Sequence, residues 1–256
     1  MKLCVIGGAG ARSAFLTKSL VKSTRDIRVD HIVLLDNDQQ KLKTYGEISR
    51  ELSRRLDPDL TFEVTSDARA ALTGVDYIIT TIRAGGDAGR LFDEQTCLAH
   101  GVLGQETTGA GGFAMAIRSV PTLVYYCTLA REVANPGHLI FNFTNPSGII
   151  TQALRSKGFD NVYGICDAPS GFIKQLEEIL EIPYGTLDIE CYGLNHLSWF
   201  RNAKVNGRDV QRELLDNPRT YEHSEMRLFT REMARISGDC MLNEYLYFYY
   251  RRVKSL

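Results

Sequence analysis

The chain has 256 residues, 44% hydrophobic and 24% charged, and its 30 basic and 31 acidic side chains leave a formal net charge of −1. That length holds one or two domains with cores of their own, the charge balance argues against a nucleic-acid or membrane-surface protein, and the spread of apolar residues argues against disorder. No uninterrupted apolar run approaches the ~18 residues of a membrane span, and the apolar stretch after Lys2 is too short for a signal peptide, so a cytoplasmic location is expected.

The first half alternates strand and helix signals. Leu3–Ile6 is an apolar run that ends in Gly7-Gly8-Ala9-Gly10, and Phe15, Leu16, Leu20 and Val21 follow at helical spacing. His31–Asp36 reads as a second strand, with Asn37 and Asp38 as caps for a helix through about Leu56. Thr61–Thr65 is a third strand, and Ser66 and Asp67 cap a short helix stopped by Gly74. Val75–Ile82 is continuously apolar, as a strand covered on both faces should be. A Gly-rich loop is expected over Ala84–Gly89, a helix over Phe113–Val133, and a fifth strand over His138–Phe143. A helix then starts near Ser147, a sixth strand covers Asn161–Ile165, and a helix runs from about Ser170 to Leu180. Beyond residue 185 the pattern changes. Leu187–Tyr192 and Trp199–Val205 look like strands, the second turning at Asn206-Gly207, and the chain from Arg212 onward reads mostly helical and polar.

This order predicts an α/β fold, a Rossmann-like doubly wound parallel sheet of the lactate/malate dehydrogenase kind, over residues 1–168. Part of an α+β substrate domain follows over 169–256. Cys4, Cys97, Cys127, Cys166, Cys191 and Cys240 form no CxxC pair and read as thiols. All but Cys166 are expected to be small buried hydrophobes.

The first strand runs into Gly8-Ala9-Gly10-Ala11-Arg12-Ser13. Two of the three glycines of the G-x-G-x-x-G dinucleotide fingerprint are present, with Ser13 in place of the third, and the turn lies between a strand and a helix as the fingerprint requires. Gly7, Gly8 and Gly10 would let the backbone approach a pyrophosphate at the helix N-terminus. Asp36, about 20 residues further on, would take the ribose hydroxyls of NAD and repel the extra phosphate of NADP; it would alternatively only cap the next helix. A dinucleotide fold names no reaction. On these residues alone an NAD-linked 2-hydroxy-acid dehydrogenase is the default reading, with Arg83 and Arg90 in a suitable loop and His196 without an acid beside it.

Four segments carry more. They are Gly104–Phe113 (GQETTGAGGF), Asn142–Gly148 (NFTNPSG), Gly164–Pro169 (GICDAP) and Tyr192–Ser198 (YGLNHLS). In this order they resemble glycoside hydrolase family 4, the NAD- and divalent-metal-dependent glycosidases that include 6-phospho-α- and 6-phospho-β-glucosidases, an exception to the usual two-carboxylate scheme. The resemblance implies oxidation of the sugar at C3 by NAD, removal of the C2 proton, loss of the leaving group from C1, addition of water and return of the hydride. It implies Cys166 and His196 as ligands of the metal, most often Mn²⁺, with coordination sites left open for substrate. Asp167 matches the acid of some members, and Tyr245, in Asn243–Tyr250, matches the base, whose pKa must fall from ~10 for that work. Met241 and Leu242 depart from the family pattern, which has Pro in this stretch. Arg90 and Asn145 match substrate positions on the phosphate side, Asn195 is expected to touch substrate hydroxyls, and Arg83 to lie near the nicotinamide.

Asp167 points to the α-type, whereas the GQETTG and NFTNPSG segments look more like 6-phospho-β-glucosidases, and β is preferred. Galactosidase- or galacturonidase-like activity is an alternative, as is a dehydrogenase or an inactive NAD-binding fragment. Family members are longer, so a truncated chain is expected here, and a homo-oligomer in the full-length form.

Overall fold

The computed structural model describes residues 1–243 together with Tyr245 and Leu246. Glu244 and Tyr247–Tyr250 of the expected aromatic segment lie outside the described residues. The chain forms two compact units, Met1–Ile165 and Cys166–Leu256, so the break falls just ahead of Cys166 rather than after residue 168.

In the first unit, strands β1 (Lys2–Ile6), β2 (His31–Leu35), β3 (Thr61–Thr65), β4 (Tyr77–Thr80), β5 (Leu139–Asn142) and β6 (Val162–Gly164) make one parallel sheet, in the order β3-β2-β1-β4-β5-β6. This is the doubly wound order. The connecting helices are α1 (Ser13–Ile27), α2 (Gln39–Lys41), α3 (Glu47–Leu56), α4 (Ala68–Leu72), α5 (Gly86–Ala99), α6 (Gly109–Val133) and α7 (Ser147–Ser156). Successive side chains of a strand face opposite ways, and both faces here are covered. Leu3, Val5, Ile32 and Leu34 pack with Val21 of α1. Cys4, Ile6, Val33 and Leu35 pack in the cluster that holds Leu72 of α4, Leu123 and Cys127 of α6, and Ile150 and Leu154 of α7.

Of the expected caps, Asp38 and Asp67 serve and Asn37 and Ser66 do not. The Asp38 and Asp67 carboxylates accept from Lys41 N and Ala70 N, both at 3.0 Å, and Gly74 leaves α4 at φ +66°. Three helical expectations change. The helix leading to Leu56 is interrupted by a π-helical turn, Leu42–Gly46; Gly46 lies so close to β3 that a Cβ there would stand 2.5 Å from Val64 Cγ1. The Gly-rich stretch 84–89 is loop only as far as Gly85, and α5 begins at Gly86. Glycines 86 and 89 lower the helix propensity of that turn and hide it in the sequence. Likewise α6 starts four residues before Phe113, on glycines. By length and composition α6 is also apolar enough to cross a membrane, although Arg118 and Pro121 interrupt its apolar run. Its residues Leu123, Cys127, Leu129 and Ala130 belong to the core of the sheet.

The second unit holds α8 (Ala168–Leu180), β7 (Leu187–Leu194), β8 (Leu197–Val205), β9 (Arg208–Asp209), α9 (Gln211–Asp216), α10 (Pro218–His223), a 3-10 turn (Glu225–Leu228), α11 (Arg231–Ile236) and β10 (Met241–Leu242). Its sheet is antiparallel, ordered β10-β8-β7, with β9 pairing β8. Phe172 and Leu176 of α8 pack with Phe200 and Ala203 of β8, Leu214, Met226, Met241 and Leu242; the Phe172 and Phe200 rings meet edge to face at 4.9 Å. The Asn206-Gly207 turn joins β8 to β9 as expected. The longer β7–β8 hairpin turns instead at Asn195-His196, between the paired residues Leu194 and Leu197.

All six cysteines are free thiols. Cys4, Cys97, Cys127 and Cys240 are buried as expected. Cys191 is exposed, contrary to expectation, because β7 is the edge strand of its sheet. Burial pushes the Cys4 and Cys127 thiols up to about 12. At pH 8 a thiol-specific disulfide reagent should therefore modify Cys191 in the folded chain and reach Cys4 and Cys127 only in denaturant. Peptide mapping by mass spectrometry checks this.

Candidate active site

In the first unit the glycine turn divides into two kinds of glycine. Gly7 stands at φ +85° and a Cβ there would lie 2.9 Å from the Thr81 carbonyl carbon; a Cβ at Gly8 would lie 2.9 Å from Leu34 Cβ. These two are needed by the fold itself, and their N–H groups donate to Leu35 O at 2.8 and 3.0 Å. Gly10 differs, because nothing lies within 4 Å of the Cβ it lacks. The open space adjoins the start of α1, which has neither a side-chain cap nor an acid in its first turn. That cradle fits a phosphate group, attracted by the helix dipole and by backbone N–H groups that no side chain claims. Asp36 follows β2 and accepts from Ala9 N and Asp38 N, both at 3.1 Å. It holds the turn while keeping lone pairs for a ribose hydroxyl, and the capping role falls to Asp38 instead.

The loop after β4 carries Arg83, and α5 carries Arg90. The two guanidinium groups converge on Glu106, at 3.4 and 3.6 Å, while Arg83 also pairs with Asp87 at 2.5 Å and Arg90 with Glu94 at 2.7 Å. Behind them Arg118 of α6 forks onto the buried Asp93 carboxylate at 2.9 and 2.5 Å and donates to Ala84 O at 3.2 Å. This bidentate pair ties the loop and α5 to α6. Three glycines of the GQETTGAGG segment serve close backbone approach. A Cβ at Gly104, Gly111 or Gly112 would stand 2.6 Å from Glu94 O, Gln105 O or the Thr107 carbonyl carbon.

Asn145 is half-buried, and its bond to Pro146 is cis. Beneath it lies a polar cluster at the ends of β4 and β5. Asn142 Oδ1 accepts from Thr80 Oγ1 at 2.8 Å, Asn142 Nδ2 donates to Thr151 Oγ1 at 3.2 Å and Ser147 O at 3.3 Å, and Thr144 Oγ1 accepts from Ile82 N at 3.1 Å. Buried polar groups need such partners.

In the second unit three distant segments meet. Cys166 immediately precedes the Asp167 that opens α8, and its Sγ lies 3.6 Å from His196 Nε2 and 4.0 Å from Asp167 Oδ1. His196 sits at the hairpin tip with φ +62° and is 7% exposed. The Tyr245 ring stacks on its imidazole, centroids 4.0 Å apart and planes within 20°. Asn195 Oδ1 is buried with no hydrogen-bond partner among the described residues, an acceptor suited to a hydroxyl donor. A cysteine sulfur and an imidazole nitrogen 3.6 Å apart are donor types that suit a divalent ion. Among the described residues no set of three or more His, Cys, Asp or Glu side chains is placed to hold a metal.

The expected residues thus fall into two groups, Gly7, Gly8, Gly10, Asp36, Arg83, Arg90 and Asn145 in the first unit, and Cys166, Asp167, Asn195, His196 and Tyr245 in the second. Sequence reasoning passed over Glu106, Asp93, Arg118 and the Thr80–Asn142 pair. Polar residues closing otherwise apolar strands were the available signal for the last.

The profile described as "Family 4 glycosyl hydrolase" matches residues 2–182, and that of the family's C-terminal domain matches 191–255. The 6-phospho-β-glucosidase BglT of Thermotoga maritima is 35% identical over 219 residues, 85% of this chain and 51% of BglT. A 6-phospho-α-glucosidase from gut microorganisms, solved in complex with NAD and Mn²⁺, superposes with TM-score 0.87 at 27% identity, covering 98% of this chain and 61% of that one. Malate dehydrogenase of Salinibacter ruber is alike in fold alone, with TM-score 0.62 at 17% identity, over 96% of this chain and 72% of the dehydrogenase. The chain spans about half the length of the curated relatives it matches.

Removing one partner of the Arg118–Asp93 fork leaves the other charge poorly satisfied. Asp93→Ala should lower stability by about 2–3 kcal/mol, with Arg118→Lys losing less because one of the two bonds can re-form. Urea unfolding followed by circular dichroism checks both.

Proposed function

The chain belongs to family 4 of the glycosyl hydrolases, and from that premise we propose that it acts in the hydrolysis of 6-phospho-glucosides, with NAD and a divalent metal, most often Mn²⁺, as cofactors. One observation carries the reading: Cys166, His196 and Tyr245, from three separate segments, come together with a 3.6 Å donor pair and a 4.0 Å ring stack. When bound, NAD⁺ supplies a hydride acceptor for the sugar's C3 and the metal ion supplies positive charge for the sugar's oxygens.

The chain's own residues divide the remaining work. Gly10 leaves room for the pyrophosphate, the first turn of α1 turns its N–H groups to it, and Asp36 takes the ribose hydroxyls. Cys166 and His196 would hold the ion. Tyr245 takes the C2 proton, made acidic by the ketone at C3, and Asp167 gives a proton to the departing glycosidic oxygen. Arg90 and Asn145 bind on the 6-phosphate side, Arg through its planar fork; Asn195 accepts from a sugar hydroxyl, and Arg83 stands on the nicotinamide side. A thiolate ligand calls for a reducing compartment, in keeping with a cytosolic protein. The β-anomer is favoured, supported by the name of the 35% identical Thermotoga relative.

The cofactor half of the reading predicts a split between glycines. Gly10→Ala should weaken NAD binding about tenfold, ~1.4 kcal/mol, with an unchanged unfolding midpoint, because only the cradle is filled. Gly7→Ala should lower the midpoint. Calorimetric titration with NAD and thermal unfolding measure the two effects.

The reaction itself is tested with the p-nitrophenyl 6-phospho-β- and α-glucosides, following nitrophenol and absorbance at 340 nm together. The expected result is release from the β-substrate that needs both NAD⁺ and Mn²⁺, stops with a chelator and leaves no net NADH. Net NADH formation would assign a dehydrogenase instead, and no release from either anomer would overturn activity in this chain.

A further inference from the structure

Tyr245 lies just past β10, a strand of two residues, so something beyond regular structure has to place its ring. Asn243 does so from a site that is 1% exposed. Its N–H donates to Ser198 O at 3.1 Å, which carries the β10–β8 pairing one residue beyond Leu242 and Trp199. Its side-chain Oδ1 accepts from Tyr245 N at 3.1 Å, an Asx turn. Its carbonyl accepts from Leu246 N at 3.0 Å, and Leu246 is buried in the core of the unit. These three bonds fix the backbone N–H of Tyr245 beside Asn243, and the Tyr245 ring stacks on His196, which sits two residues from Ser198.

The other end of the Asn243 side chain is held as well. Nδ2 donates to Glu225 Oε2 at 2.9 Å. Glu225 is 7% exposed, and its own N–H donates to Gln175 Oε1 of α8 at 2.9 Å. A carboxylate taken this far out of water is costly without hydrogen bonds, and no step of the reaction uses it.

The geometry points to Asn243 and Glu225 as positioning residues, a buried carboxylate–amide brace that sets the Tyr245 ring against His196 and so fixes the reach of its phenolic oxygen. Its bearing on catalysis rests on the reading of Tyr245 as the base. The brace itself is read without turnover, from the NMR signals of the His196 ring protons, which a stacked tyrosine shields.

Spectra are recorded on this chain at one pH and without added metal, with Tyr245→Leu as the unshielded reference and the buried Ala203 methyl as the check on folding. Asn243→Ala and Glu225→Ala are expected to move the His196 signals to the reference position. Glu225→Gln, which keeps an oxygen for Asn243 Nδ2, is expected to leave them at the native position. A folded Asn243→Ala that keeps the native His196 signals overturns the brace. If that variant does not fold, the Glu225 pair decides: native signals in both Glu225→Ala and Glu225→Gln overturn it, and loss in Ala with retention in Gln supports it. A chain with the shielding pattern that releases no nitrophenol would overturn the reaction and leave the brace standing. Turnover with unmoved His196 signals in Asn243→Ala would do the reverse.

Discussion

A two-residue reversal between long antiparallel strands demands a positive φ, and in the β7–β8 hairpin that demand falls on His196. A non-glycine residue in the left-handed region costs about 1–3 kcal/mol and persists only where its surroundings over-determine it. Here they do. The two strands pair on either side of the turn from Leu187 with Val205 to Leu194 with Leu197. Gly193, at φ +115°, lets the Leu197 carbonyl pass where a Cβ would block it. The Tyr245 ring closes over the imidazole. Glycine or asparagine at 196 would relax the backbone and remove the donor that faces Cys166.

The parallel sheet was legible because its strands are covered on both faces, and such strands appear as short apolar runs between glycine and polar turns. The glycine turn and Asp36 were legible for the same local reason, as a strand, turn, helix and acid in order. The elements that escaped are those made by tertiary contact. β10 is two residues whose extended form follows from pairing with Trp199 and Phe200. The Asn195-His196 turn lacks the glycine that marks a hairpin, and the Asn206-Gly207 signal next to it was the louder of the two. Cys166, His196 and Tyr245 have no spacing that shows they meet; their roles came from the resemblance. Their neighbours Asn243 and Glu225 carry no chemical signature at all, since an amide and a carboxylate far apart in the chain look like ordinary polar residues.

The GQETTGAGG segment shows a different limit. Its composition is unusual, yet at Gly104, Gly111 and Gly112 a Cβ would stand 2.6 Å from neighbouring backbone atoms. What the segment contributes to the site is Glu106, through which Arg83 and Arg90 are oriented. Close packing and site construction are therefore written into the same few residues. Asn142 does likewise one loop later, spending its amide on Thr80, Ser147 and Thr151 while its neighbour Asn145 stays available.

The break between Ile165 and Cys166 gives the second unit a hereditary meaning. Cys166, Asp167, His196, Tyr245 and the Asn243–Glu225 pair are encoded downstream of one junction, whereas the glycine turn and Asp36 are encoded upstream. A genetic crossover at that point between two related genes would carry these residues across together, with the contacts among them intact. Crossovers within α8–β10 would instead separate partners that depend on one another.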